Sequence, residues 1–176
     1  MDYKNQILLL TEFLQQENFD YALIGAFALQ AYGYSRLTKD VDFITRLQYQ
    51  ERIIGYLESM DFETINRTDV FTNHLYPAGS IRFDFLYVDG ETADSIFNSL
   101  KVKILFNELK IPVASPEHLV ALKLFAASAD PERKFKELAD IKELIKITNI
   151  EPDKIEKYFI KYNLEKYFDE IKRKNK

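Results

Sequence analysis

Residues 21–46 read YALIGAFALQAYGYSRLTKDVDFITR, and the punctuation of this stretch decides the fold. Tyr21–Ile24 is an apolar run of strand length. Gly25 ends it, because a residue without a Cβ lets the chain turn close beneath whatever lies above. Phe27–Tyr32 then predicts one or two helical turns. Lys39–Thr45 predicts a second strand, with Val41 and Phe43 pointing one way and Asp40 and Asp42 the other. Two carboxylates at i and i+2 on one strand face repel, so the pair calls for a cation between them or a shifted pKa. Oxygen-only ligands suit Mg²⁺, which binds through one or two carboxylates together with substrate phosphates. Taken alone, a D-x-D triplet is also the ordinary solvated face of an edge strand.

The order around the triplet narrows the choice. Strand, glycine turn, short helix, basic stretch and D-h-D in succession resemble the signature hG[G/S]…Dh[D/E]h of the polymerase-beta-type nucleotidyltransferase superfamily. Ile24, Gly25, Asp40, Val41, Asp42 and Phe43 carry it here. Ala26 stands where that signature has Gly or Ser, which removes a hydroxyl donor to phosphates but keeps space for close backbone approach. The pattern R-x-T-x-D-x-D, here Arg36, Thr38, Asp40 and Asp42, looks most like the AbiEii-like and related toxin-type nucleotidyltransferases. The resemblance spans about residues 20–145. It implies an α+β fold, a small mixed β-sheet with helices packed on one side, plus a C-terminal helical bundle. The division expected is a nucleotidyltransferase core over 1–114 and a helical region over 115–176.

The chain as a whole is consistent with a packed domain. It has 176 residues, 47% of them apolar, with only five glycines and five prolines, which argues against disorder. A net charge of −4 argues against a protein that coats nucleic acid without specificity. Without cysteine there are no disulfides and no thiolate metal sites, which suits the cytoplasm. His74 and His118 are too few for a histidine-rich zinc site. Residues 1–6 are polar and Ile7–Leu10 is too short for a signal peptide or membrane span, so a protein without membrane attachment is expected. The basic end Lys172–Lys176 is expected to fray.

Taken in order, residues 4–17 predict an amphipathic helix with Ile7, Leu10, Phe13 and Leu14 on one stripe. A helix over Gln48–Met60 follows, then strands over Phe62–Ile65 and Val70–Leu75 turning at Asn66–Asp69. After a break at Pro77–Ser80, Ile81–Val88 (IRFDFLYV) is the clearest alternating strand. Ile81, Phe83, Phe85 and Tyr87 form one face; Arg82, Asp84, Leu86 and Val88 form the other. Asp84 is an acid in an otherwise apolar strand, costly unless paired or bound to metal. Its bland explanation is a salt bridge with Arg82. Glu91–Ser99 predicts a short helix, and Val102–Phe106 with Leu109–Val113 a hairpin turning at Asn107–Glu108.

The second half is helical. Ser115-Pro116-Glu117 is a helix start: an N-cap serine, proline in the first turn and an acid at the positive dipole end. That helix is apolar almost all round, with Lys123 in its middle. Lys123 reads either as snorkelling to solvent or as reaching an anion, a triphosphate or a nearby acid. The next helix, over Pro131–Lys146, is expected to bury Phe135, Leu138, Ile141, Leu144 and Ile145, with Asp140 beside that stripe. Pro152 starts the last segment, where Ile155, Tyr158, Phe159 and Tyr162 line one side.

The resemblance assigns roles. Asp40, Asp42 and Asp84 would be the catalytic, metal-binding carboxylates around Mg²⁺ or Mn²⁺. Gly25 and Ala26 would let the backbone approach the phosphates, with Arg36, Thr38 and Lys123 as phosphate partners. Asp140 would orient the triphosphate or complete its pocket. The implied reaction moves a nucleoside monophosphate from an NTP to an acceptor hydroxyl on a tRNA end, a protein or a small molecule. An antitoxin is an implied partner. The competing readings are a catalytically inactive nucleotide- or partner-binding domain on the same scaffold and a metal-dependent phosphodiesterase.

Overall fold

The computed structural model describes residues 3–79 and 81–174. It separates into two compact units, Met1–Ala31 with Ser35–Ala114, and Tyr32–Tyr34 with Ser115–Lys176. The first holds α1 (Tyr3–Gln16), β1 (Tyr21–Ile24), α2 (Gly25–Ala31), β2 (Asp40–Arg46), a 3-10 turn (Leu47–Tyr49), α3 (Gln50–Ser59), β3 (Glu63–Arg67), β4 (Phe71–Leu75), β5 (Arg82–Val88), α4 (Gly90–Phe97), β6 (Lys101–Leu105) and β7 (Leu109–Val113). The second holds α5 (Pro116–Ala129), α6 (Lys134–Thr148), α7 (Pro152–Lys161) and α8 (Glu165–Lys174).

Among the described residues the sheet has seven strands in the order β3-β4-β5-β2-β1-β7-β6. It is mixed, as expected: β2 runs parallel to β5 and β1 parallel to β7, while the other pairs are antiparallel. Period-2 alternation sorts the central strands into two faces. One face is dry: Val41, Phe43, Phe83, Phe85 and Tyr87 are buried, and Phe43 stacks on Phe85 at 5.4 Å between ring centroids. Phe62 packs on Phe83 at 5.1 Å, and Phe13 of α1 stacks on Tyr56 of α3 at 3.8 Å. The opposite face carries Asp40, Asp42, Arg82 and Asp84, all half-buried.

Two local details differ from the sequence expectation. β3 begins at Glu63 rather than Phe62 and runs to Arg67, with a register irregularity between Thr64 and Asn66. The hairpin therefore turns at Thr68–Val70, where the Thr68 hydroxyl accepts from the backbone N–H groups of Val70 and Phe71. The Asn107 turn fits better. Phe106 and Asn107 both take positive φ, 53° and 66°, within the three-residue loop between the paired Leu105 and Leu109. The break expected at Pro77–Ser80 includes one residue, Ser80, outside the described set. Of the basic end expected to fray, Lys172–Lys174 continue α8, and the last two residues lie outside the described set.

The dry face encloses one polar chain. Tyr87 OH lies 2.9 Å from Thr72 Oγ1, which lies 2.8 Å from His74 Nε2. On the other side His74 Nδ1 lies 3.1 Å from Thr64 Oγ1, which donates to Glu58 Oε1 at 2.9 Å. Thr64 has one proton and gives it to Glu58, so it accepts from Nδ1–H; in the neutral ring Nε2 then accepts from Thr72. Burial lowers the His74 pKa from 6.5 to about 4, against a small opposing effect of Glu58. The folded state thus binds the proton less well than the unfolded chain, and stability falls as pH drops from 6.5 towards 4. The expected loss is about 3 kcal/mol at 1.36 kcal/mol per unit of pKa shift. Denaturant midpoints measured down that pH range check it, and a His74→Asn variant should lose most of the slope. An unchanged slope would place the acid sensitivity elsewhere.

In the second unit, Ser115 caps α5, its hydroxyl accepting from His118 N–H at 3.3 Å. The expected stripe of α6 needs correction. Phe135 is 77% exposed and Leu138 only half-buried, while Glu137 and Asp140 join Ile141, Leu144 and Ile145 on the buried face. Hydropathy alone rotates the helix the wrong way, because the buried acids have a buried cation to meet. Ile155 and Phe159 of α7 are buried, and Phe159 packs on Phe168 of α8 at 5.0 Å. Among the described residues no helix is long and apolar enough to cross a membrane.

Candidate active site

Four adjacent strands align one residue each on the half-buried face. The register pairs Asn66 with Asn73, Asn73 with Asp84, and Asp84 with Asp42. In the next step of the same parallel ladder Asp40 faces Arg82. Parallel partners project to the same side, so the acids of β2 and β5 come together although far apart in sequence.

Gly25 closes the other side of Asp42. It has a φ of +64°, and a Cβ built there would fall 2.0 Å from Asp42 Oδ2. The glycine is therefore required twice, by backbone conformation and by the carboxylate lying against it. Gly25→Ala is expected to displace Asp42 and to cost about 1–2 kcal/mol from the left-handed φ alone. A denaturant midpoint equal to wild type would contradict this. Ala26, the next residue, is buried within α2, so it offers backbone and no polar group.

Asp84 is held by two neighbours. Its Oδ1 accepts from Arg82 Nε at 2.8 Å and from Asn73 Nδ2 at 2.8 Å. Burial pushes its carboxyl above the ordinary carboxylate value. The bonds from Asn73 and Arg82 and the Arg82 charge oppose this, and the Asp40 charge adds to it. Asp40 thus stands within electrostatic reach of Asp84. Thr38 fixes the start of β2, its hydroxyl bridging the N–H and C=O of Asp40 at 3.3 Å each. Arg36 precedes it in the same loop, half-buried.

Lys123 does not snorkel. It is 6% exposed, and its Nζ donates to Glu137 Oε2 at 2.8 Å and to Asp140 Oδ2 at 2.6 Å. Arg133 adds a third bond, to Glu137 Oε1 at 2.8 Å. Burial would raise the Glu137 pKa, but Lys123 and Arg133 outweigh it and hold the carboxyl below its ordinary value. Lys123 and Asp140, singled out separately in the sequence, are thus direct partners between α5 and α6.

The family model described as "Nucleotidyl transferase AbiEii toxin, Type IV TA system" matches residues 8–175. The chain belongs to this family. A search of the curated proteins finds no match. The fold is similar to that of ANT(2″)-Ia, solved in complex with adenylyl-2″-tobramycin, with a TM-score of 0.70 and 13% identity over 90% of this chain and 95% of that one. It is also similar to the lincosamide antibiotic adenylyltransferase LnuA, solved with lincomycin, with a TM-score of 0.59 and 17% identity over 84% of this chain and 99% of that one. An antigenic nucleotidyltransferase-like protein from Paracoccidioides brasiliensis matches with a TM-score of 0.56 and 19% identity over 82% of this chain and 75% of that one. At these identities the likeness is one of fold, and it agrees with the mixed sheet seen here.

In this AbiEii-family nucleotidyltransferase the acids of β2 and β5 have the donor chemistry of a hard divalent cation: carboxylate oxygens only, on one sheet face, with Asp42 and Asp84 in register. Among the described residues, no three His, Cys, Asp or Glu side chains are gathered closely enough to hold a metal ion. Asp84 instead turns Oδ1 to Arg82 and Asn73. Sequence reasoning missed Asn73 and Asn66. The signal was present in FTNHL, where Thr72, Asn73 and His74 are three consecutive buried polar residues in one strand.

Proposed function

We propose that this AbiEii-family protein transfers a nucleoside monophosphate from an NTP to an acceptor hydroxyl and releases pyrophosphate. The observation that carries the reading is the parallel register that sets Asp84 beside Asp42, with Asp42 lying against Gly25. Asp40 and Asp42, with Asp84, would hold Mg²⁺ or Mn²⁺. Such an ion, when bound, neutralises phosphate charge and clamps the attacking and leaving oxygens. The left-handed turn at Gly25 brings backbone rather than side chain up to the phosphates. Arg36 lies in the loop leading to β2 and serves as a phosphate partner. Thr38 sets the position of Asp40 through its backbone. Lys123 and Asp140 are assigned to the triphosphate as the pair the resemblance implies.

The bond made joins the acceptor oxygen to the α-phosphorus; the bond broken is the one from that phosphorus to pyrophosphate. Asp84 takes the acceptor's proton. No covalent enzyme intermediate is needed, since positioning and charge neutralisation dominate such transfers. The family's toxin character extends the reading to an antitoxin that opposes this activity.

The test is incubation with each labelled NTP and Mg²⁺ in the presence of RNA, protein and hydroxylated small-molecule acceptors. A labelled adduct with stoichiometric pyrophosphate is the expected result. Free NMP in place of an adduct would convict the same carboxylates of phosphodiester hydrolysis and overturn the proposal.

A further inference from the structure

Both hydrogen bonds to Asp84 fall on one oxygen. Oδ1 receives Arg82 and Asn73, and no hydrogen bond from a described residue reaches Oδ2. Of the two donors, Asn73 is the directional one. It is 9% exposed on the central side of the β3–β4 hairpin, and its amide is itself oriented: Asn66 Nδ2 donates to Asn73 Oδ1 at 3.2 Å. Because the Asp84 carboxylate only accepts, the amide presents Nδ2 to it, and Asn66 restrains the carbonyl end. A flipped amide would set carbonyl against carboxylate on one side and N–H₂ against N–H₂ on the other. Arg82 is a less exacting partner. Its side chain is 35% exposed and lies two residues away on the same strand, free to follow whichever oxygen is presented.

We propose that Asn73 is a positioning residue for the transfer reaction. It locks the Asp84 carboxylate with Oδ1 turned towards β4 and Oδ2 presented to the acceptor hydroxyl, and Asn66 acts through Asn73 by setting its amide. This rests on the functional reading above and adds two residues to it. The two asparagines touch no reacting atom. Their effect is on the geometry of proton removal, which depends on a few tenths of an ångström in donor–acceptor placement. They also tie the fidelity of the site to the β3–β4 hairpin, since the relay runs across three strands in register.

The experiment compares Asn73→Ala, Asn66→Ala and the double variant with wild type in the labelled-NTP transfer assay. Asn73→Ala should lower kcat about 10- to 100-fold, the usual scale for residues that orient a functional ligand, with KM for the NTP unchanged. Asn66→Ala should lower kcat less, in the same direction. The double variant should be no worse than Asn73→Ala, because Asn66 acts only through its neighbour. Additive losses, a rise in KM at constant kcat, or an unchanged kcat in Asn73→Ala would each overturn the proposal while leaving the transfer reaction intact. A wild-type protein without transfer would instead remove the functional reading, and this inference with it. Should Asn73→Ala fail to fold, Asn66→Ala decides: its side chain is exposed, and a kcat equal to wild type there would overturn the relay.

Discussion

Asp40→Ala is expected to abolish transfer, lowering the rate by at least about 10³-fold. Bound metal supplies several kcal/mol of transition-state charge stabilisation, and each 1.36 kcal/mol is a factor of ten. Removing one of the two carboxylates on β2 removes most of that. The fold should survive, because Asp40 sits at the half-buried first position of its strand and its backbone is held by Thr38. Asp42→Asn should behave alike: it keeps the shape that lies against Gly25 and loses only the charge. The check is incorporation of labelled NMP beside a thermal melt. An Asp40→Ala protein that still labels its acceptor would remove the β2 carboxylates from the mechanism.

Lys123→Met is expected to destabilise the protein by about 3–5 kcal/mol, the scale for removing one partner of a buried ion pair. The cluster contains two cations, Lys123 and Arg133, and two carboxylates, Glu137 and Asp140. Without Lys123, Glu137 keeps only its pairing with Arg133, which is more than half exposed, so that attraction is screened. Glu137, held below its ordinary pKa, contributes stability above pH 4.5 and loses it as pH falls through the lowered value. The variant's deficit should therefore be largest near neutral pH and shrink in acid. Denaturant titration at several pH values measures it. A midpoint near wild type at neutral pH would show that the cluster contributes little to holding α5 on α6. Lys123→Arg keeps the charge but not the compact shape, and should fall between the two.

Much of this arrangement could be read from residue order. IRFDFLYV alternates so regularly that both faces of β5 were assignable, and Ser115-Pro116 marked the start of α5 to the residue. What order could not give was register. That Asp42 and Asp84 are neighbours depends on the crossover through α3, β3 and β4, and no local pattern encodes which step of a parallel ladder closes. Asn73 escaped for the same reason: its meaning lies in what stands beside it across the sheet. The face of α6 was misjudged because Glu137 and Asp140 look solvent-loving in any hydropathy pattern, and only the buried Lys123 reverses that. Lys123 itself was visible as an anomaly. Its partner Asp140 was named by resemblance, and Glu137 was not named at all.

The seven-residue parallel ladder between β2 and β5 has a consequence for biosynthesis. Its halves leave the ribosome well apart, with a helix and a hairpin between them, and such long-range pairing closes late in folding. A nascent chain therefore displays Asp40 and Asp42 before Asp84 arrives beside them, and products truncated before β5 never acquire it. On the proposed function, a chain cut short before β5 would lack one of the three carboxylates that the transfer requires.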